Sequence, residues 1–425
     1  MMRVLIVNTS ERAGGAAVAA GRLMDALNNN GVKAKMLVRD KQTDTITVAG
    51  LGNSAFNQRH FLMERLSIFP RLLFSKKHLF DIDIANSGFD ITQTREFREA
   101  DIIHLHWINQ GMLSLNGIKK ILDSGKPVVW TMHDAWPATA ICHLTMDCKR
   151  YKTRCCRCRY LPGGGGDNDL ASKVWKRKKA MLDGQSVYFV ACSRWLEGEA
   201  KQSALLAGQN VTSIPNPIDT HLYHPADKEA ARQRLGLPSG KKLILFVSQR
   251  ATNAYKGMDY LADACRLLVE NHPEMKDNAA VVILGGHAEE VEHMLPLEAY
   301  PLGYVSDEHK IVDVYNASDI FVLPSLSENL PNTIMEAMAC GVPCVGFKVG
   351  GIPEEIDHKK SGYVAEYRNA ADLMEGIWWI LHEADYGALC DAAVRKVATT
   401  YSQNSVALRY IEVYNHAMAF KHYSI

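Results

Sequence analysis

The stretch 325–343, SLSENLPNTIMEAMACGVP, decides the fold. It ends an apolar run, Ile320–Ser325 (IFVLPS), that reads as a strand covered on both faces. A loop carrying Glu328 comes next, and a helix begins near Asn332 with Glu336 in its first or second turn. The open N–H groups at such a helix start favour an anion, phosphate above all. Carboxylates beside a phosphate need a reason, because they repel it. Sugar hydroxyls supply one, since a carboxylate accepts hydrogen bonds from two neighbouring OH groups. Both carboxylates stand at the carboxyl end of a strand, where open parallel sheets bind ligands. The plainer reading, that they merely complement a helix dipole, makes no use of that position.

Working outward, the same strand–loop–helix grammar recurs. Arg3–Asn8 (RVLIVN) is a strand, ERAGGAA a glycine loop with Gly14 and Gly15, and Ala16–Asn30 a helix stopped by Gly31. Lys35–Arg39, Asp101–His106, Pro127–His133 and Val187–Ser193 are further strands, while residues 41–100 are less regular and hold additional helices. The pattern restarts near Lys241, with strands at Leu243–Gln249, Ala279–Gly285 and Cys344–Phe347 and a helix from about Met258. Such alternation predicts an α/β protein of two Rossmann-like doubly wound domains, residues 1–213 and 214–401. Ile214–Asp219 (IPNPID), with two prolines, is the expected linker.

The 425 residues exceed what one core usually holds, and 47% hydrophobic with 22% charged residues excludes a disordered chain. No apolar run reaches the ~18 residues of a membrane span, and the N-terminus reads as a strand rather than a leader, so the expected location is the cytoplasm. The net charge of +1 hides an asymmetry: residues 1–210 hold 30 Lys+Arg against 19 Asp+Glu, and the remainder 18 against 28. A basic half suits an anionic partner (a phospholipid surface met peripherally, a lipid diphosphate or an acidic glycan) or is simply a solvated face.

The pair Glu328 and Glu336, seven residues between them, followed by GGIP at 350–353, resembles glycosyltransferase family 4 as seen in bacterial polysaccharide biosynthesis. The resemblance implies a GT-B fold, two domains facing a central cleft, with a last helix, about 402–425, crossing back onto the first domain. It implies that Glu328 holds the donor sugar's hydroxyls and Glu336 the ribose. Backbone N–H groups among Asn329, Leu330, Asn332 and Thr333 would meet the phosphate; Pro331 cannot donate, and many members carry an aromatic and a glycine where Leu330 and Pro331 stand. QRATNAYKG, 249–257, resembles the family's Arg-then-Lys pair, here Arg250 and Lys256 with one residue more between them than is commonest. Two cations there would neutralise the leaving diphosphate in place of a metal ion, so no cofactor is required for catalysis. Gly14 and Gly15 match the loop near donor phosphate and acceptor, His133 in TMHDAW the histidine that meets the donor sugar, and Tyr304 in LGYVS the position beside the base. His104 and His106 in HLHW end a neighbouring strand.

The function so implied is a retaining transfer of a sugar from a nucleotide-sugar, UDP- before GDP- on family breadth, to a glycan or lipid-linked acceptor in surface polysaccharide synthesis. The departing phosphate would help take the acceptor's proton. No nucleic-acid partner is expected. The alternatives are a GT-B subunit that binds glycans or assembles a complex without catalysis, and another GT-B enzyme such as a nucleotide-sugar epimerase.

Ten cysteines include five crowded into 142–158, CHLTMDCKRYKTRCCRC. Cys142, Cys148, Cys155 and Cys158 are candidate ligands of a structural zinc, with Cys155 and Cys158 in C-x2-C spacing. Free thiols, or a disulfide formed on handling, are the alternatives. The other five read as small buried hydrophobes. Asp81–Asp83 (DID) and Asp167–Asp169 (DND) imitate a metal-binding D-x-D, and PGGGG at 162–166 imitates a phosphate loop without its GK[ST]. KVWKRKK, 173–179, is a basic helical stretch suited to a membrane surface or to plain solvation.

Overall fold

Two parallel sheets organise the chain, and their central strands are those whose apolar runs leave no polar face. In this computed structural model residues 1–52 and 54–422 are described. The last three residues of the helix expected over about 402–425 therefore lie outside the described residues. Contacts divide the chain into one unit of Met1–Pro217 with the segment from Asn404 onward, and a second of Ile218–Gln403.

The first unit holds seven strands: β1 (Arg3–Ser10), β2 (Lys33–Asp40), β3 (Val48–Gly50), β4 (Ile102–Leu105), β5 (Val128–Met132), β6 (Tyr188–Ala191) and β7 (Asn210–Ser213). Their order is β3-β2-β1-β4-β5-β6-β7, all parallel. The order reverses between β1 and β4, so the loops after these two strands diverge and leave a crevice at their carboxyl ends. Helix α1 (Gly15–Asn29) follows the β1 loop, and Gly14 caps its start at φ 90°, a conformation open to glycine. Helix α2 (Ser54–Ile68) fills part of the irregular region, and helix α3 (Leu170–Leu182) carries the basic stretch.

The second unit repeats the plan with β8 (Lys242–Arg250), β9 (Ala279–Gly286), β10 (Glu298–Gly303), β11 (Ile320–Leu323), β12 (Cys344–Phe347) and β13 (Gly362–Ala365), in order β10-β9-β8-β11-β12-β13. Here the reversal falls between β8 and β11. Helix α4 (Met258–Asn271) follows β8 and helix α5 (Asn332–Ala339) follows β11. The strand expected to reach Ser325 stops at Leu323, because Pro324 has no N–H with which to continue the ladder. Strands β3, β7, β10 and β13 are short edges or near-edges absent from the expected set; β7 is polar and β10 contains Pro301, which an edge tolerates.

Helix α6 (Gln403–His422) returns to the first sheet. Val406, Ala407, Tyr410, Tyr414 and Ala417 are buried in one cluster with Val4, Ile6 and Val38. Among the described residues no helix is long and apolar enough to cross a membrane.

Candidate active site

In the second unit both reversal-point loops converge on one ion pair. Lys256 lies in a short turn after β8, and Gly257 behind it takes φ 76°. A Cβ at Gly257 would stand 1.9 Å from the Pro324 carbonyl oxygen, so only glycine lets the β8 loop press against the end of β11. Leu326 N–H donates to Tyr255 O at 2.8 Å across the same seam. The result is an ion pair between Lys256 Nζ and Glu328 Oε1, with Ser325 Oγ donating to the same oxygen at 2.9 Å. From the other side Gly350 closes on Glu328: a Cβ there would meet the Glu328 carbonyl oxygen at 1.7 Å, and Gly351 N–H donates to Asn329 O at 2.8 Å.

Glu336 lies one turn inside α5, buried, and Tyr315 Oη donates to its Oε2 at 2.8 Å. Burial and the Glu336 charge push the Tyr315 hydroxyl well above its usual range, so it stays a donor. Helix α5 starts at Asn332 without a side-chain cap, after Pro331. Its first residues, Asn332 and Thr333, follow the half-buried Asn329 and the buried Leu330. Arg250 ends β8 with its backbone tied to Ser248 Oγ, and its exposed guanidinium makes no ion pair among the described residues. Tyr304 is exposed just past β10, two strands away from β8.

In the first unit the β4 and β5 ends bring three histidines together. His106 Nδ1 and His133 Nε2 are 2.9 Å apart, and His133 Nδ1 faces Cys192 Sγ at 3.6 Å. His106 Nε2 is buried with no partner. A lone pair costs less there than an N–H, which assigns the His106 proton to Nδ1, donating to His133. His104 is held on both ring nitrogens, by Thr131 Oγ1 and by Tyr414 Oη of α6, each at 2.7 Å. Burial keeps His133 down at about 4, against the pull of Asp134, and His104 at about 3; all three rings are neutral at pH 7. Beside them His143 has the opposite state. Burial opposes its charge, but Asp134 and Asp83, each 2.7 Å from one ring nitrogen, lift it to about 10. Asp134 also accepts from Trp107 Nε1 at 2.9 Å.

This geometry has known counterparts. Residues 227–397 match the profile described as Glycosyl transferases group 1, and residues 13–222 that of Glycosyltransferase Family 4. The chain belongs to glycosyltransferase family 4. It is 25% identical over 228 residues to a D-inositol 3-phosphate glycosyltransferase of Thermobispora bispora, covering 51% of this chain and 53% of that protein. The chain thus spans about half the length of the curated relatives it matches. Its fold is that of the sucrose-phosphate synthase of Thermosynechococcus elongatus, with TM-score 0.70 at 17% identity over 99% of this chain and 100% of that one. It is also that of Anabaena HepE in complex with UDP-glucose, with TM-score 0.62 at 16% identity over 98% and 100%. These are GT-B structures of two parallel-sheet α/β domains.

Within this family-4 chain the structure brings Lys256 to Glu328 and His106 to His133, while Glu336 keeps a separate partner. Sequence reasoning missed Ser325, Tyr315, Cys192 and the Asp83–His143–Asp134 chain, whose partners come from distant segments. It also missed Glu355, a buried carboxyl with neither oxygen hydrogen-bonded, which burial and the nearby Glu328 push far up.

Cys142, Cys148, Cys155 and Cys158 lie near enough to act on one another's charge. Among the described residues no group of three or more His, Cys, Asp and Glu side chains is placed to hold a metal ion. All ten cysteines are free, and burial raises the Cys142 thiol to about 11 and those of Cys155 and Cys158 to about 12. Hydrogen bonds fasten this loop. Asp169, the N-cap of α3, accepts from Cys158 N–H at 2.9 Å, and Tyr160 Oη donates to Leu144 O at 2.9 Å. Asp167 pairs with Arg157, and Asp83 with Arg65 and His143. In the basic stretch Lys178 turns inward and donates to Trp136 O and Thr139 O at 2.7 and 3.0 Å.

Proposed function

We propose that this chain is a retaining glycosyltransferase that moves a sugar from a nucleotide-sugar, UDP- in preference to GDP-, to a glycan or lipid-linked acceptor in surface polysaccharide synthesis. It works on the cytoplasmic side of the membrane. The observation that carries the reading is the Lys256–Glu328 pair at the reversal point of the second sheet, with the uncapped start of α5 beside it. Glu328, one oxygen of which is engaged, offers its other lone pairs to sugar hydroxyls. The N–H groups of α5 and the ammonium of Lys256 take the diphosphate, and Lys256 meets the negative charge as it develops. Glu336, oriented by Tyr315, takes the ribose. His133, neutral, meets the donor sugar as an uncharged group rather than as a cation. No step needs a covalent nucleophile. Attack from the face the leaving group departs gives retention, and the departing phosphate takes the acceptor's proton. A fold-retaining subunit without catalysis would have no use for the Lys256–Glu328 pair, and Anabaena HepE, of the same fold, is seen with UDP-glucose.

The test is a thermal-shift panel of nucleotides and nucleotide-sugars, followed by nucleoside-diphosphate release assays. A donor at about 100 times its Kd stabilises by ~2.7 kcal/mol, several degrees in Tm. Glu336→Ala should abolish the shift and the turnover. Equal shifts in the variant and the parent, or product of inverted anomeric configuration by NMR, would sink the reading.

A further inference from the structure

Water dictates that a surface helix turn its apolar stripe inward and its charges outward. Helix α2 buries Ile68 but otherwise departs from this. Glu64 is buried, its carboxylate accepting the N–H groups of Ile84 and Ala85 at 2.8 and 2.7 Å, and buried Arg65 pairs with Asp83 and donates to Ile82 O at 3.2 Å. Leu62, Met63 and Leu66 face outward, Leu66 with 68% of its surface exposed. The chain leaving α2 extends the same face. Leu73 and Phe74, both in left-handed backbone (φ 53° and 58°), are 74% and 70% exposed, and Phe80 is exposed as well. Bulky side chains in that conformation are held against their own preference. Of the eleven large hydrophobic side chains exposed among the described residues, six fall between Leu62 and Phe80.

The charge around this face is mainly positive, and Asp81, just beyond it, is paired with His78. Arg59, Arg71, Lys76 and Lys77 are exposed, and the only acidic residue in 54–80 is the buried Glu64. Exposed leucines and phenylalanines rimmed by cations match a surface that is apolar beneath and anionic at its edge. A second copy of this chain does not match it: in a two-fold interface each patch meets itself, and four like charges would face four.

We propose that α2 and the segment through Phe80 dock this protein on a bilayer containing anionic lipid. Leu66, Leu73 and Phe74 enter the interface, and Arg71, Lys76 and Lys77 meet the headgroups. The placement also serves the site. Arg65, on the inner side of α2, pairs with Asp83; Asp83 pairs with His143; His143 pairs with Asp134, the residue after His133. One short chain of buried bonds thus joins the docking helix to the β5 loop, so an acceptor with a lipid tail would present its headgroup on the side where His133 stands. This last step rests on the proposed transfer reaction, while the docking itself does not.

The test uses the full chain and sedimentation with vesicles of phosphatidylcholine alone or mixed with phosphatidylglycerol. The parent protein is expected to bind the mixed vesicles and to be released by 0.5 M salt. Leu73→Ser with Phe74→Ser should weaken binding at least tenfold. Arg71→Ser with Lys76→Ser and Lys77→Ser should weaken it on the order of a hundredfold, at about fivefold per cation. Circular dichroism melts establish that each variant is folded, and the cation variant alone decides the matter if the apolar variant fails to fold. Absence of parent binding to the mixed vesicles overturns the proposal, as does unchanged binding of the folded cation variant. So does a dimer in light scattering that Leu73→Ser with Phe74→Ser dissolves while vesicle binding is unaltered.

Discussion

Replacing Lys256 by methionine keeps most of the side-chain volume and removes only the charge. In the structure the ammonium sits on Glu328, whose side chain is 12% exposed, so the site is partly dehydrated and the effective dielectric lies well below that of water. A unit charge about 4 Å from a developing diphosphate charge, at an effective dielectric of about 20, contributes ~4 kcal/mol. Neighbouring cations and helix N–H groups share the task, so ~3 kcal/mol is the reasonable loss, or roughly a hundredfold in turnover. The charge it meets is fully formed only as the bond to the sugar breaks, so Lys256→Met should lower kcat more than it raises KM for the donor. The variant also leaves Glu328 without its counter-charge, at ~1–3 kcal/mol of stability. Glu328→Gln with Lys256→Met removes that penalty and should recover stability without recovering turnover. The assay is nucleoside-diphosphate release under saturating donor, with a urea melt for stability. Lys256→Met turning over within threefold of the parent, while folded, would refute the reasoning.

Other consequences are as direct. Gly257→Ala puts a Cβ 1.9 Å from the Pro324 carbonyl oxygen at φ 76°, and should cost at least ~2 kcal/mol, read as a lowered urea midpoint and lost donor binding. His106→Leu leaves His133 without its ring partner; it should lower kcat about tenfold with donor Kd unchanged, whereas His106→Asn, which can still donate, restores part of it. His143→Ala exposes Asp83 and Asp134 to each other without the cation between them, and should destabilise by ~3–5 kcal/mol in chemical denaturation. Acid should destabilise the protein: His133 and His104 have folded pKa values near 4 and 3, below the unfolded value, so each binds its proton more tightly unfolded. Stability is then lost as pH falls from about 6.5, by ~2 kcal/mol per histidine at pH 5, while His143, raised to about 10, loses its contribution only on the alkaline side as pH climbs from about 6.5 through 10.

What could be read from the sequence, and what could not, divides along the range of the interactions. The strands at Arg3, Leu243, Ala279 and Cys344 were legible because a strand buried on both faces must be apolar along its whole length, and that is a local property. Edge strands such as β7 and β10 were not, since an edge is half solvated and its residues carry no such signature. The Glu328–Glu336 spacing was legible because the loop and the first turns of α5 are consecutive in the chain. What fixes those two carboxylates was not. Lys256 reaches Glu328 across 72 residues and Tyr315 reaches Glu336 from another helix, and both meetings depend on the order in which strands entered the sheet. The cysteine cluster shows the same limit: spacing alone permits a metal, but how the thiols meet depends on the loop that carries them, and Asp169 and Tyr160 hold that loop. The apolar outer face of α2 went unread for a related reason. A leucine among arginines is ordinary in any helix; it becomes informative only when the structure places the carboxylate of Glu64 inside and Leu66 outside. A sequence specifies composition on each face, and only the fold says which face meets water.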